Sequence, residues 1–80
     1  MKVQVTKEDI TSGVPNHQAD CPLAKAITRA TGKPTGVMIT HYYYIEDDID
    51  QIHKLPQIAY EFRKNFDGGV AVQPFEFEIP

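Results

Sequence analysis

The chain has 80 residues, 41% of them apolar and 24% charged, with a formal net charge of -3. That length makes one domain, residues 1–80, burying about 60–65% of the surface its unfolded form exposes, and the composition is globular rather than disordered. One cysteine excludes an internal disulfide, no apolar run reaches the ~20 residues of a membrane span, and the charged start lacks the apolar run of a signal peptide, so the expectation is a cytoplasmic protein without a membrane partner.

Lys2 to Val5 alternate polar with apolar and predict a short strand ending at Thr6. Thr6 followed three residues later by Asp9 reads as a capping arrangement that opens one or two helical turns closed by Gly13, with Ile10 as the inward anchor. Val14 to Ala19 have no period and form a loop. The stretch from Asp20 to Gly32 then carries a start signal, a helical body and a stop signal. Asp20 is the expected cap, Pro22 suits the first turn, and Gly32 before Lys33 and Pro34 ends the helix. Leu23, Ala26, Ile27 and Ala30 share its buried side, and Lys25 and Arg29 take the other, with Lys33 just beyond.

Val37 to Ile45 is rich in β-branched and aromatic residues and predicts one central strand. Alternation places Val37, Ile39, His41, Tyr43 and Ile45 on one face, and Met38, Thr40, Tyr42 and Tyr44 on the other. Glu46, Asp47 and Asp48 break the strand. Asp50 to Lys54 either returns as a second hairpin strand or forms a helical turn, because Ile49, Ile52 and Leu55 are spaced by three. Pro56 opens the last helix, whose predicted apolar stripe is Leu55, Ile58, Ala59, Phe62 and Phe66, and Asp67, Gly68 and Gly69 close it. Pro74 then marks either an edge position or a strand that starts afresh, and the terminal run sets Phe75, Phe77 and Ile79 inward and Glu76 and Glu78 outward. Two one-sided helices and a set of alternating strands imply an α+β two-layer sandwich: a mainly antiparallel sheet of three to four strands with two helices packed on one face.

The residues Val5 to Ile10, Gly13, Cys21-Pro22-Leu23-Ala24, Leu55-Pro56, Phe62, Asp67-Gly68 and the terminal run Pro74 to Ile79 resemble small proteins encoded by bacteriophages and prophages. The likeness rests on caps, turns and core positions and brings over no catalytic residue. It implies a phage product acting in the bacterial cytoplasm, where small accessory proteins bind and redirect or inhibit host proteins, defence systems included.

Four features are candidates for chemistry. Cys21, at a helix start with Lys25 one turn ahead, has the setting that lowers a thiol pKa, against the alternative of a buried structural cysteine. His17, Cys21, His41 and His53 are metal-ligand types, but lack the paired short spacing of a zinc site, so no metal or other cofactor is expected. Glu46, Asp47, Asp48 and Asp50 put four carboxylates into five residues without the glycine and distal glutamate of a calcium loop, which reads as a solvated turn or an acidic contact edge. Met38, Tyr42 and Tyr44 would form an exposed platform for a host protein, bordered by Glu46, Asp47 and Asp48, and the same face would serve a homodimer.

Charge is unevenly laid out, with five Lys/Arg against three Asp/Glu in residues 1–40 and three against eight in residues 41–80, which argues against a nucleic-acid partner. The leading expectation is a non-enzymatic host-binding protein. A small-molecule or nucleotide binder, with Lys25 and Arg29 meeting phosphate, and a thiol-dependent enzyme using Cys21 are the alternatives.

Overall fold

The computed structural model describes residues 1–46 and 51–80. The elements in chain order are β1 (Lys2–Val5), α1 (Lys7–Ser12), α2 (Pro22–Thr31), β2 (Thr35–Val37), β3 (His41–Tyr44), β4 (Ile52–Lys54), α3 (Gln57–Asp67) and β5 (Phe75–Glu78). The α+β class with antiparallel strands is as the sequence implied. The strands, however, divide into two sheets rather than joining in one: β1 pairs with β5, and β3 lies between β2 and β4.

Helix α2 organises the molecule, packing against β1 of the first sheet, β2 of the second, and α1. Its Leu23, Ala24, Ala26 and Ile27 are buried with Val3, Val5, Val37, Tyr42 and Phe77 in one core. The cap of α2 is Cys21, not Asp20: its Sγ accepts the Ala24 amide at 3.4 Å. Pro22 explains the shift. As the first helical residue it holds its predecessor in extended geometry, and Cys21 sits at φ -72°, ψ 161°. Asp20 instead stays exposed beside His17. At the other end Gly32 adopts φ 75°, the left-handed conformation that closes a helix without a Cβ penalty.

The predicted single strand from Val37 to Ile45 is two strands folded back at Met38 to Thr40. Val37 lies opposite Tyr42, and the Met38 amide donates to the His41 carbonyl at 2.7 Å. In one continuous strand Val37 and Tyr42, five positions apart, would face opposite ways; folding back brings both to the core side, where both are buried. Burial thus decides against local propensity. Of the two alternatives for Asp50 to Lys54, the strand holds over Ile52–Lys54, while Asp47, Asp48, Ile49 and Asp50 lie outside the described residues.

Helix α3 starts after Pro56, as expected, but its buried side is Ala59, Phe62 and Arg63, and Ile58 is 53% exposed. At ~100° per residue Ile58 falls about 90° from the centre of the buried arc, and Arg63 takes the inward place. Phe62 reaches Phe75 of β5 with ring centroids 4.7 Å apart, which couples α3 to the first sheet.

Candidate functional site

The aromatic run divides by strand parity, and the division differs from the expected one in which side is wet. Tyr42 is buried, with 2% of its surface exposed, and its ring stacks on His53 at 5.1 Å between centroids. Tyr44 is half-buried 5.6 Å from the same imidazole, and the Lys33 ammonium lies 5.0 Å over its ring. Met38 is also half-buried. Burial, with Tyr44 nearby as a second cause, pushes the Tyr42 phenol up to about 12. Of the platform that alternation predicted, Tyr42 is therefore closed to a partner and Tyr44 packs against the core, while Met38 stays half-buried outside that cluster.

The outward face carries Tyr43 and, directly opposite it on β4, Ile52. Ile52 is 49% exposed, and Ile45, just past β3, is 46% exposed. Tyr43 lies across Gly36, so closely that a Cβ there would enter its ring, and its hydroxyl donates to Gln18 Oε1 at 2.7 Å. Tyr43 is itself half-buried, its ring held over Gly36 and set opposite the exposed Ile52. His41 and Lys54 face each other two residues along the ladder, and Glu46 stands exposed at the opposite end. Of the acidic edge, Asp47 and Asp48 lie outside the described residues.

Cys21 is 1% exposed. Burial pushes its thiol up, and the amide of Ala24 and the nearby Arg63 guanidinium only partly counter it. The helix-start setting that reads as thiol-activating is present, but desolvation outweighs it. Lys25 is half-buried on the same helix.

Arg29, an exposed phosphate ligand in one reading, is engaged within the fold. Its Nη1 and Nη2 donate to Asp9 Oδ1 and Oδ2 at 2.9 and 2.7 Å, and Nη2 also reaches the Gln4 carbonyl at 2.7 Å. Asp9 is buried and completes the predicted capping box, accepting the Thr6 amide at 2.9 Å while Thr6 Oγ1 accepts the Asp9 amide. Burial opposes the charge on Asp9, yet the Arg29 and Thr6 hydrogen bonds prevail and hold its carboxyl below the usual value. The group ties α1, α2 and β1 together.

Sequence reasoning missed one charged cluster. Arg63, Lys64 and Asp67 of α3, with Tyr60 and the hairpin-tip residue Ile39, line a cavity of about 200 Å³. Arg63 Nε donates to Asp67 Oδ2 at 3.2 Å, and Asp67 Oδ1 accepts the Asn16 amide at 2.9 Å. The available signal was an arginine at the i+4 position from the apolar Ala59, inside the stripe rather than outside it. Among the described residues, no group of three or more His, Cys, Asp or Glu side chains is placed to hold a metal ion, and no helix is long and apolar enough to cross a membrane. No family model, curated protein or solved structure matches this chain.

Proposed function

We propose that this is a small accessory protein of phage type that binds a host cytoplasmic protein without catalysing a reaction, and that it does so through the Tyr43 and Ile52 face. The observation that carries the reading is the half-exposed Ile52 set directly opposite a Tyr43 ring held by Gln18. A tyrosine ordered before contact gives up little side-chain entropy on binding, and aromatic residues dominate the energetics of protein interfaces. The partner surface that fits is apolar with a basic rim, because the face ends at Glu46 and the sequence continues there with three further aspartates within four residues. The resemblance to phage-encoded proteins supports a bacterial host as the source of that partner. A buried thiol used as a helix cap favours binding over thiol chemistry.

The test is affinity capture from bacterial lysate with the natural chain, with Tyr43→Ala combined with Ile52→Glu, and with Glu8→Lys on the remote α1 as a control. The natural chain and the control should retain one stoichiometric protein that the double variant loses at unchanged helical content. Equal capture by all three would count against this face. Native mass spectrometry showing a dimer that the double variant abolishes, with no other protein bound, would assign the face to self-association.

A further inference from the structure

Strand edges in this fold are closed to different degrees. The outer amides of β2 are taken, Val37 donating to the Gln18 carbonyl at 2.9 Å and Thr35 to Thr28 Oγ1 at 3.1 Å. In the β1–β5 sheet the Ile79 amide donates to the Met1 carbonyl at 2.9 Å and the Met1 amino group donates to the Ile79 carbonyl, so these residues exchange both bonds. Bonded and non-bonded pairs alternate along an antiparallel ladder, which makes Val3–Phe77 and Val5–Phe75 bonded and turns the peptide groups of Gln4, Glu76 and Glu78 away from the neighbouring strand. The Gln4 carbonyl confirms this parity, because it accepts Arg29 Nη2 at 2.7 Å on the outer side of β1. On β5 the matching groups are bare. Among the described residues nothing hydrogen-bonds the N–H and C=O groups of Glu76 and Glu78, and both residues are exposed. Pro74 and Pro80 share their parity and lack an N–H, so they bound the open stretch on either side.

The geometry points to the outer edge of β5 as a docking site for an extended segment of a partner protein with Lys or Arg at alternate positions, added as a third, antiparallel strand to the β1–β5 sheet. This edge belongs to the first sheet, apart from the Tyr43 and Ile52 face on the second. Its open peptide groups supply the main-chain bonds by which sheet edges recruit peptides. Charge selects the side chains. Residues directly opposite each other share a face, with Cβ atoms about 4.5–5.5 Å apart, so partner residues opposite Glu76 and Glu78 project beside those carboxylates. The two glutamate side chains are 55% and 70% exposed, with Lys2 lying 3.2 Å from Glu76 and the Met1 amino group 3.4 Å from Glu78, both from the β1 side. A basic residue from the open side would set each carboxylate between two cations. The same rule disfavours a second copy of this chain, because antiparallel pairing of two β5 strands about Phe77 sets Glu76 of one copy against Glu78 of the other.

The probe is a short capped peptide of alternating lysine and valine, titrated into isotope-labelled protein and followed by amide NMR and hydrogen exchange. In the free protein the Glu76 and Glu78 amides should exchange about tenfold or more faster than those of Phe77 and Ile79. The peptide should shift the two glutamate amides saturably and slow their exchange. A lysine–proline peptide of equal charge, which has no N–H at its proline positions to complete a ladder, should do neither. Glu76→Lys combined with Glu78→Lys should weaken binding about tenfold or more. Glu78→Pro removes an edge donor but no bond to β1, and should weaken it at least as much while the β1 amide signals stay in place. The inference is overturned if Glu76 and Glu78 are as protected as Phe77 in the free protein, if the lysine–proline peptide acts as strongly as the lysine–valine one, or if the charge-reversed variant binds like the natural chain. Protection of the two amides that rises with protein concentration in the absence of peptide would also overturn it, giving the edge to a second copy.

Discussion

Replacing Arg29 by Met should destabilise the protein more than replacing its partner Asp9 by Asn, although both break the same ion pair. The reason is unequal burial: the Asp9 side chain is 6% exposed and that of Arg29 is 51% exposed. Without Arg29, a buried carboxylate keeps only the Thr6 amide as donor; without the Asp9 charge, a guanidinium already half in water is simply rehydrated. Breaking a fully buried pair from one side costs roughly 3–5 kcal/mol, and exposed pairs contribute about 0–1 kcal/mol. With one partner in each class, Arg29→Met should cost about 2–3 kcal/mol. Asp9→Asn keeps an oxygen for the cap and should cost about 1 kcal/mol. For a domain of this size 1 kcal/mol moves the midpoint by about 4–8 °C, so the first variant should melt on the order of 10–20 °C lower. Urea unfolding followed by circular dichroism at neutral pH measures both. The pH dependence provides a second check. Folding lowers the Asp9 pKa, so its contribution is complete above the ordinary value of 3.8 and is lost as pH falls through the lower folded value. The gap between the natural chain and Arg29→Met should therefore narrow in acid. Equal losses for the two variants, or a loss for Arg29→Met below about 0.5 kcal/mol, would refute the assignment of this pair as the tie between α1, α2 and β1.

Other consequences follow from particular contacts. Gly13→Ala would drive its Cβ to 2.6 Å from both the Asp9 carbonyl and the Pro22 ring, so it should cost about 1–3 kcal/mol by overpacking, read as a fall in the urea midpoint. Gly36→Ala meets only the movable end of the Tyr43 ring; it should cost less than Gly13→Ala and release Tyr43 from Gln18, visible as a change in the Tyr43 ring signals. Folding raises the Tyr42 phenol pKa, so stability linked to it is whole below the ordinary value of 10.0 and is lost as pH rises toward about 12. In an alkaline absorbance titration, Tyr42 should ionise well above the ordinary phenol value, and Tyr42→Phe should remove that late step. Cys21 should resist a thiol reagent in the folded protein and react as the chain unfolds; modification at a free-thiol rate under native conditions would contradict its burial.

The elements most legible in the sequence were those with chemical punctuation. Thr6 and Asp9 announced α1, Gly32 closed α2, and Phe75 and Phe77 alternated as the inward side of β5, with Ile79 buried just past it. Where punctuation was absent, tertiary burial decided. The turn at Met38 to Thr40 contains no Gly, Pro, Asn or Asp, and the chain folds back there because Val37 and Tyr42 both gain a place in the core. That one turn makes Tyr43 the outward aromatic in place of Tyr42 and Tyr44. The Arg63 cavity escaped notice for a similar reason: residues from α3 and the hairpin tip meet only after β2, β3 and α3 have packed. Arg29 read as solvent-facing until the fold set it against a buried Asp9, an arrangement carried by residues 20 positions apart.

Site-specific photo-crosslinking inside bacterial cells tests most directly the proposal that the Tyr43 and Ile52 face is a protein contact surface. A benzophenone side chain placed at Ile52 should give one discrete cross-linked host protein, and the same group at exposed Glu61 on α3 should give none. The same product from both positions, or no product from Ile52, would contradict the assignment.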